Sequence, residues 1–475
     1  MRLFPKDLWY MFTLKFLESY AYFSLSQVLV IYLHDEFGAS DFEAGTAYGM
    51  FGAAITGWGL SLSWLNDNLG VKKSLLIGFS ISTIASTIVA CTTSKILLYI
   101  TLFAFYPIGF AMGIPMLSVA TKRYTNSKNR GFAFGLFYAV MNVAALMSGV
   151  MVDAFTIGVP EQGMWSGYRL LIFSCTVGNI LSVVVTYFFL RDIKILEDDE
   201  IAAAEENLAA SVEMTGDANK SLQSNNAGSP LHGQEKFTLV DPSESPSEEL
   251  QRDSSVATFT PKKSTFATIL KELMTSPTFR RFAVLSLILV NLRAIFRHLD
   301  ATQPTYLVRC FGDNVPKGSL YAINPFMIIF LTPVVAAVTN TYDHYNMIKY
   351  GGYVAAASPF FLACFTEIWA VACMNIVLSL GEAIYSPRLY LYTMIIAPEG
   401  REASFSALAS APLFAAKIPV GIMSGLLLQA YVPEPDDDDE RCNESRAQIM
   451  WLIIALVTMS SPILITLFEK CLREP

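Results

Sequence analysis

The sequence is poor in charge and in the residues that metal and haem sites use. Only 16% of its 475 residues are Asp, Glu, Lys or Arg, whereas a soluble domain usually carries about a quarter. It has four histidines, and its seven cysteines are scattered without a CxxC pair or any other metal-ligand spacing. We therefore predict no zinc site, no haem and no other cofactor.

Catalytic and nucleotide-binding motifs are also missing. The chain has no Gly-rich phosphate loop and no Ser/His/Asp set, so we expect neither ATP hydrolysis nor another enzymatic activity. Its net charge of −8 is matched by residues 191–278, which carry eight more acidic than basic residues. The rest of the chain is therefore near neutral, and we predict no nucleic-acid partner.

Long apolar stretches are what the sequence does have. Hydrophobic residues make up 53% of the chain, in stretches close to the roughly 20 residues that a helix needs to cross a bilayer. Continuous apolar runs do not fit the alternating pattern of a membrane barrel. We predict an all-α membrane protein with twelve transmembrane helices, at 8–33, 43–65, 74–93, 96–120, 131–155, 168–190, 281–306, 318–340, 347–366, 368–394, 403–430 and 447–468.

The predicted helices fall into two groups of six, separated by a polar segment. Residues 191–278 are rich in Glu, Asp, Ser, Asn and Pro and cannot bury enough apolar surface to fold. We expect an N-terminal six-helix bundle at 1–190, a disordered acidic linker at 191–278 and a C-terminal six-helix bundle at 279–475. Two repeated bundles around a central cavity are typical of secondary transporters.

Basic residues in short loops predict the orientation. They lie on the side of both termini, at Lys72, Lys73, Lys122, Arg123, Lys128, Arg130, Arg191, Arg280, Arg281, Lys349 and Arg401. The opposite loops carry Asp35, Glu36, Asp41 and an acidic run at 436–439. We therefore expect both termini and the linker in the cytosol, in the plasma membrane or an endomembrane.

Two features of the predicted outer loops concern covalent chemistry. Cys310 and Cys442 could form a disulfide, although two free thiols are the favoured interpretation. The sequence Asn443-Glu444-Ser445 is a glycosylation sequon on the same side, close to the membrane.

The loop between the second and third helices carries a family motif. The segment from Ser63 to Lys73, with Asp67, Gly70, Lys72 and Lys73, resembles the corresponding loop of the major facilitator superfamily. A weaker copy runs from Asp343 to Lys349, and Gly167-Tyr168-Arg169 resembles the start of that superfamily's sixth helix. The resemblance implies the major facilitator fold, with two pseudo-symmetric six-helix bundles and a loop that takes part in conformational change.

Three helices resemble the proton-dependent oligopeptide transporter branch more narrowly. The eighth helix has Asn324-Pro325 followed by Pro333, and the tenth has Gly381-Glu382 followed by Ser386-Pro387. In the first helix Glu18 and Tyr22 match the branch's signature, whereas Lys15, Ser19 and Phe23 depart from it. The resemblance implies a solute carrier of this branch, and the departures affect the expected peptide specificity and proton coupling.

Ionisable residues within the predicted helices are the candidate site. Each costs roughly 2.5–3.5 kcal/mol on insertion scales at the bilayer centre, so each needs a reason to be there. They occur in the first, seventh, tenth and eleventh helices, at Lys15, Glu18, Arg293, Arg297, Asp300, Glu382 and Lys417. Spacings of three and four place those of one helix on one face. We expect these side chains to face a shared aqueous chamber.

We assign roles to these residues as hypotheses. Substrate binding is assigned to Arg293, Glu382, Lys417, Tyr22, Asn324 and Asn142. Proton coupling or gating is assigned to Glu18, Lys15, Arg297 and Asp300. The alternatives are structural: Arg297 and Asp300 could simply pair, Lys15 could extend to the cytosolic surface, and an Asn could join two helices.

These features predict a secondary active transporter for a small polar solute, amphoteric or anionic, coupled to protons. Its expected partners are the solute, protons and the lipid bilayer, and we expect a monomer. One alternative is a facilitative uniporter of the same fold. Another is a non-transporting sensor or scaffold that acts through the linker.

Overall fold

The structure of the protein is a computed structural model, which describes residues 6–125, 127–159, 165–191, 277–339, 342–396, 416–434 and 442–472. The predicted linker, apart from its first and last residues, lies outside these ranges, as do Arg401, the acidic run at 436–439 and the first part of the eleventh predicted helix. The side chain of Asp67 is also outside the description.

The described residues of the first part of the chain form helices and one π-helical turn. They are α1 (Lys6–Phe37), α2 (Asp41–Cys91), α3 (Lys95–Ile100), the π-turn Thr101–Phe105, α4 (Tyr106–Arg123), α5 (Ser127–Thr156) and α6 (Gly167–Phe188). Serines begin three of them: Ser40, Ser94 and Ser166 each accept a hydrogen bond from a first-turn backbone N–H. Such caps satisfy donors that the helix itself leaves unpaired.

The second and third predicted helices both lie within α2, as two helices that meet at Gly70. Gly70 interrupts the helical backbone with φ 76° and ψ 176°, a conformation that favours glycine. Asn66 stabilises the turn because its backbone carbonyl accepts from the Ser74 hydroxyl at 3.4 Å. The predicted connection is therefore present as a tight turn at Gly70 between two helices.

The second part of the chain forms nine described helices. They are α7 (Pro277–Ala301), α8 (Gln303–Phe311), α9 (Lys317–Val338), α10 (His344–Ala357), α11 (Phe360–Cys364), α12 (Ile368–Ile396), α13 (Lys417–Tyr431), α14 (Glu444–Leu467) and α15 (Glu469–Leu472). Two predicted helices are thus broken: the seventh at Thr302, and the ninth at Ser358 and Pro359.

Eight helices in the described ranges are long and apolar enough to cross a membrane. They begin and end at Lys6–Phe37, Leu69–Cys91, Lys95–Thr121, Phe132–Thr156, Gly167–Phe188, Lys317–Val335, Ile368–Leu389 and Glu444–Leu467. The other four predicted spans are also helical where described. One is rich in glycine, one carries Arg293, Arg297 and Asp300, one is broken into two short helices, and only 15 residues of α13 are described.

Small polar side chains hold the helices together on the inside. Ser24 and Gln27 of α1 both donate to the hydroxyl of Ser148 of α5, at 3.0 and 2.9 Å. Large apolar side chains point outward instead, among them Ile84 at 62% exposed and Leu456 at 57%. This arrangement, polar inside and apolar outside, suits a protein surrounded by lipid.

Helices α1–α6 meet helices α7–α15 at two glycine seams. In the first, between α2 and α13, a Cβ atom on Gly45 or Gly421 would overlap the carbonyl oxygen of the other. In the second, between α5 and α9, the same holds for Gly149 and Gly318. Both seams lie towards the helix ends that we predict to face outside, which we call the outer face.

Candidate functional site

Lys15 and Glu18 form a buried ion pair on α1. The ammonium of Lys15 lies 3.0 Å from Glu18 Oε2, and the two residues are 6% and 3% exposed. Glu18 Oε2 also accepts from the Ser19 hydroxyl at 3.2 Å, and the ammonium lies 5.1 Å from the ring of Phe137. Lys15 therefore points into the protein instead of extending to the surface.

Asp300, near the end of α7, joins the two sets of helices. Its Oδ2 accepts from Ser26 of α1 at 3.1 Å and from the Tyr48 hydroxyl of α2 at 3.0 Å. Arg297, one turn earlier, reaches the same oxygen at 3.4 Å. The Arg297–Asp300 pair therefore exists, and it also holds α7 against the amino-terminal helices.

Lys417 begins the described part of α13 and is fully buried. Its ammonium lies 4.7 Å from the centre of the Tyr22 ring and 4.9 Å from that of Tyr48, and it has no hydrogen-bond acceptor among the described residues. Gly52 makes room for it, because a Cβ atom there would overlap the Lys417 side chain. Within the described ranges this buried cation contacts aromatic rings and forms no ion pair, and Asp300 lies within its electrostatic range.

Glu382 and Arg293 form a second part of the site. Glu382 of α12 accepts from the Asn324 side chain of α9 at 2.9 Å, and the same amide donates to Ser379 at 3.1 Å. Arg293 of α7 lies within electrostatic range of Glu382 and Tyr385, but no described carboxylate forms an ion pair with it.

Asn142 of α5 makes a local contact. Its side-chain amide donates to the backbone carbonyl of Tyr138, one turn earlier on the same helix, at 3.0 Å. Tyr138 lies within electrostatic range of Glu382 and Arg293. Asn142 is therefore near the second part of the site through Tyr138, although it donates to neither charged residue.

The structure fully describes three of the four residues predicted for the conformational loop, since the side chain of Asp67 lies outside the description. Gly70 forms the kink of α2, Lys72 is partly buried and Lys73 is exposed. In the second copy of the motif, Asp343 caps α10 by accepting from the Asn346 backbone N–H, and Lys349 pairs with Glu469 at 2.9 Å.

A polar cluster closes the outer face. Arg309 of α8 donates to both oxygens of Asp41, at 2.7 and 2.9 Å, and to the backbone carbonyl of Val432 at 2.8 Å. His34 lies beside this pair, 3.3 Å from a carboxylate oxygen of Glu434. A cavity of about 450 Å³ lies here, and His34, Arg309 and Glu434 are among its lining residues.

A disulfide joins Cys310 to Cys442 next to this cluster, with a Cα–Cα distance of 4.7 Å. The favoured prediction of two free thiols is therefore wrong. Asn443, the predicted glycosylation position, is exposed, and its side chain caps α14 by accepting from the Arg446 backbone N–H.

The sequence did not point to several residues of the site. Tyr48 binds Asp300 and contacts Lys417, and Tyr321 lies within electrostatic range of Arg297. Tyrosines are common in membrane helices, so nothing in the pattern distinguished these. Gly52 had a weak signal, since it belongs to a glycine-rich stretch of α2.

Comparison with known proteins gives one family match and several relatives. The sequence model of the Major Facilitator Superfamily matches residues 11–416. Dipeptide and tripeptide permease A of Chromobacterium violaceum is 26% identical over 147 residues, which cover 30% of each chain. The permease of the same name from Escherichia coli K12 is 22% identical over 193 residues, 40% of this chain and 37% of the relative. The matches thus span about a third of the length of these relatives.

Solved structures match over nearly the whole chain. A POT family transporter in complex with a thioalcohol-conjugated peptide has a TM-score of 0.71, with 99% of this chain and 97% of the other covered. A POT family transporter in complex with 5-aminolevulinic acid gives a TM-score of 0.70 over the same shares. Sequence identity is 15% in both, so this likeness shows a shared fold.

Proposed function

Because the chain belongs to the Major Facilitator Superfamily, whose members are transporters and not enzymes, we propose that it is a secondary active transporter for a small polar solute. The solute is amphoteric or anionic, and it moves by alternating access coupled to protons. The predicted fold class stands as the premise: the chain is a multi-pass, all-α membrane protein with the major facilitator fold. Its division into bundles at 1–190 and 279–475 stays a prediction, as do the cytosolic termini.

The buried ammonium of Lys417 is the observation that carries this proposal. An unpaired charge away from water is costly, and a buried cation is normally paired. Lys417 contacts Tyr22 and Tyr48, but cation–π contacts of about 0.5–2 kcal/mol do not replace an anion. Asp300 lies within electrostatic range but forms no ion pair with it, so a carboxylate or phosphate of the solute would supply a direct partner that the described residues do not.

Glu382 supports the amphoteric alternative over a simple anion. Its Oε2 accepts from Asn324, and a carboxylate has capacity for further donors such as a solute amine. Arg293 lies in range of Glu382 without an ion pair of its own in the described ranges, so it could bind a second acidic group. Di- and tripeptides, after which the similar permeases are named, have both a carboxylate and an amine, and we favour this class of solute.

The two internal ion pairs support proton coupling. Protonation of Glu18 would release Lys15, and protonation of Asp300 would release Arg297 and weaken the link to Tyr48. A proton would thereby change which contacts hold the two sets of helices together. Such a difference between two states is what coupling requires.

Uptake by purified protein in proteoliposomes tests the proposal. A panel of peptides, amino acids and organic anions is offered with and without an inward proton gradient, to the wild type and to Arg293→Ala, Glu382→Gln and Lys417→Ala. We expect gradient-driven accumulation by the wild type and at least a tenfold loss in the variants. Lys95→Ala, which removes a half-exposed ion pair with Glu43, is the matched control and should transport normally.

The alternatives give different results. Equal rates and accumulation without the gradient would indicate a uniporter. Deletion of residues 195–275 should leave uptake intact in a transporter, whereas a sensor acting through the linker would lose its function. If the three variants transport like the wild type, the assignment of the site is wrong.

A further inference from the structure

Asp153 belongs to the last turn of α5, but its hydrogen bonds go to α9. Its Oδ1 accepts from the backbone N–H of Gly318 at 2.7 Å, and its Oδ2 accepts from that of Ser319 at 2.6 Å. First-turn N–H groups have no partner within their own helix. Asp153 therefore caps a helix that belongs to the other set of helices.

Helix α9 has no cap of its own. The residue before it is Pro316, and no side chain at that position accepts from the first turn. Two neighbouring helices are different: Asp343 caps α10 and Asn443 caps α14, each from the position directly before its own helix. The first turn of α9 therefore depends on a carboxylate from α5.

Two charges at this contact lie at the unfavourable ends of their own helices. The helix dipole disfavours an anion at the carboxyl end and a cation at the amino end. Asp153 is at the carboxyl end of α5, and Lys317 is the first residue of α9. When the two ends meet, Asp153 faces an amino end and lies within electrostatic range of the Lys317 ammonium. Closure thus gives Asp153 a favourable helix end, and the attraction between the two charges offsets part of the cost of burying Lys317.

The glycine seam makes this contact possible. Gly149 lies one turn before Asp153, and its backbone touches that of Gly318, the residue that Asp153 caps. A side chain at either glycine would hold the helices apart. The capping bonds therefore form only while this seam is closed.

We infer that Asp153 is a gate-positioning residue, which stabilises the closed outer face by capping α9 from the other set of helices. Its loss shifts the protein towards conformations in which the α5–α9 seam is open. The inference rests on the proposed alternating access, in which this seam opens and closes in each cycle. The test measures the opening of the seam directly, so this inference can be wrong while the proposed transport function is right.

The experiment uses a cysteine at Val152, a side chain only 2% exposed that lies against Gly318. The five free cysteines are replaced, and Val152→Cys is introduced into the full chain. The rate of alkylation by a polar maleimide then follows the fraction of time that the seam is open. The rate is compared among the Val152→Cys protein with native Asp153, Asp153→Ala, Asp153→Asn and the control Ser94→Ala, which removes the cap of α3 within one set of helices.

We expect Asp153→Ala to raise the alkylation rate about fivefold or more, the effect of losing an ordinary cap. Asp153→Asn keeps an acceptor and should have a smaller effect, and Ser94→Ala should leave the rate unchanged. An unchanged rate in Asp153→Ala, or an equal rise in Ser94→Ala, would overturn the inference. If Asp153→Ala does not fold, Asp153→Asn provides the comparison, and it should still raise the rate above that of the protein with native Asp153.

Discussion

The carboxylate of Asp41 and the guanidinium of Arg309 face each other across the boundary between the two sets of helices, joined by two hydrogen bonds. The side chain of Asp41 is 8% exposed and that of Arg309 is 5% exposed. Water therefore screens this pair little, and each buried charge depends on the other as its counterion.

Removal of either partner should destabilise the protein. Asp41→Asn or Arg309→Met leaves a buried charge without its counterion, which typically costs about 3–5 kcal/mol. We expect a clearly lower midpoint of thermal unfolding in detergent for both single variants. The exchanged pair Asp41→Arg with Arg309→Asp should recover part of this loss. An exchange no more stable than the single variants would contradict the proposed pairing.

Gly52→Val should act through Lys417. The new Cβ would overlap the Lys417 side chain and displace its ammonium from the two tyrosine rings. We expect solute uptake to fall at least tenfold, as in Lys417→Ala. The double variant Gly52→Val with Lys417→Ala should take up solute no more slowly than either single variant.

Gly57→Val is the control for this prediction, because a Cβ at Gly57 of the same helix has no neighbour within 4 Å. It should transport normally. Additive losses in the double variant would show that Gly52 and Lys417 act separately.

Glu18→Gln should uncouple transport from protons. The substitution removes the group that a proton would neutralise and leaves the buried ammonium of Lys15 without an anion. We expect gradient-driven accumulation to disappear, while exchange of labelled solute at equal pH continues. Glu43→Gln, at a half-exposed ion pair, should keep both activities. Continued accumulation in Glu18→Gln would place the coupling proton elsewhere.

The disulfide should be detectable by thiol counting. Mass spectrometry of the denatured, non-reduced protein should find five alkylated cysteines, and seven after reduction. The double variant Cys310→Ser with Cys442→Ser should unfold at a lower temperature, since a disulfide typically contributes about 2–4 kcal/mol. Seven alkylated cysteines before reduction would contradict the disulfide.

The helices and the charged residues could be predicted from the sequence for clear reasons. A membrane helix needs a long apolar run, and an ionisable residue inside such a run is rare enough to stand out. Spacing along one helix also placed Lys15 with Glu18 and Arg297 with Asp300, as the structure finds them.

Contacts between distant segments could not be predicted in this way. Tyr48 and Asp300 are 252 positions apart, and Arg309 and Asp41 are 268 apart. Periodicity identifies the face of a helix but not its rotation or depth relative to another helix. The break at Thr302 was missed although Pro304 follows it, because a proline in a membrane helix can stand either inside a bent helix or at the start of a new one, as it does here.

In the proposed alternating access, the two glycine seams bear on the entropy of each closing step. Where Gly45 meets Gly421 and Gly149 meets Gly318, backbone touches backbone with no side chain between them. Glycine has no rotamers to lose, whereas long side chains lose up to about 2 kcal/mol each when they are fixed. These surfaces can therefore join and separate repeatedly without reordering side chains, which leaves the few polar contacts around them to set the balance between the two states.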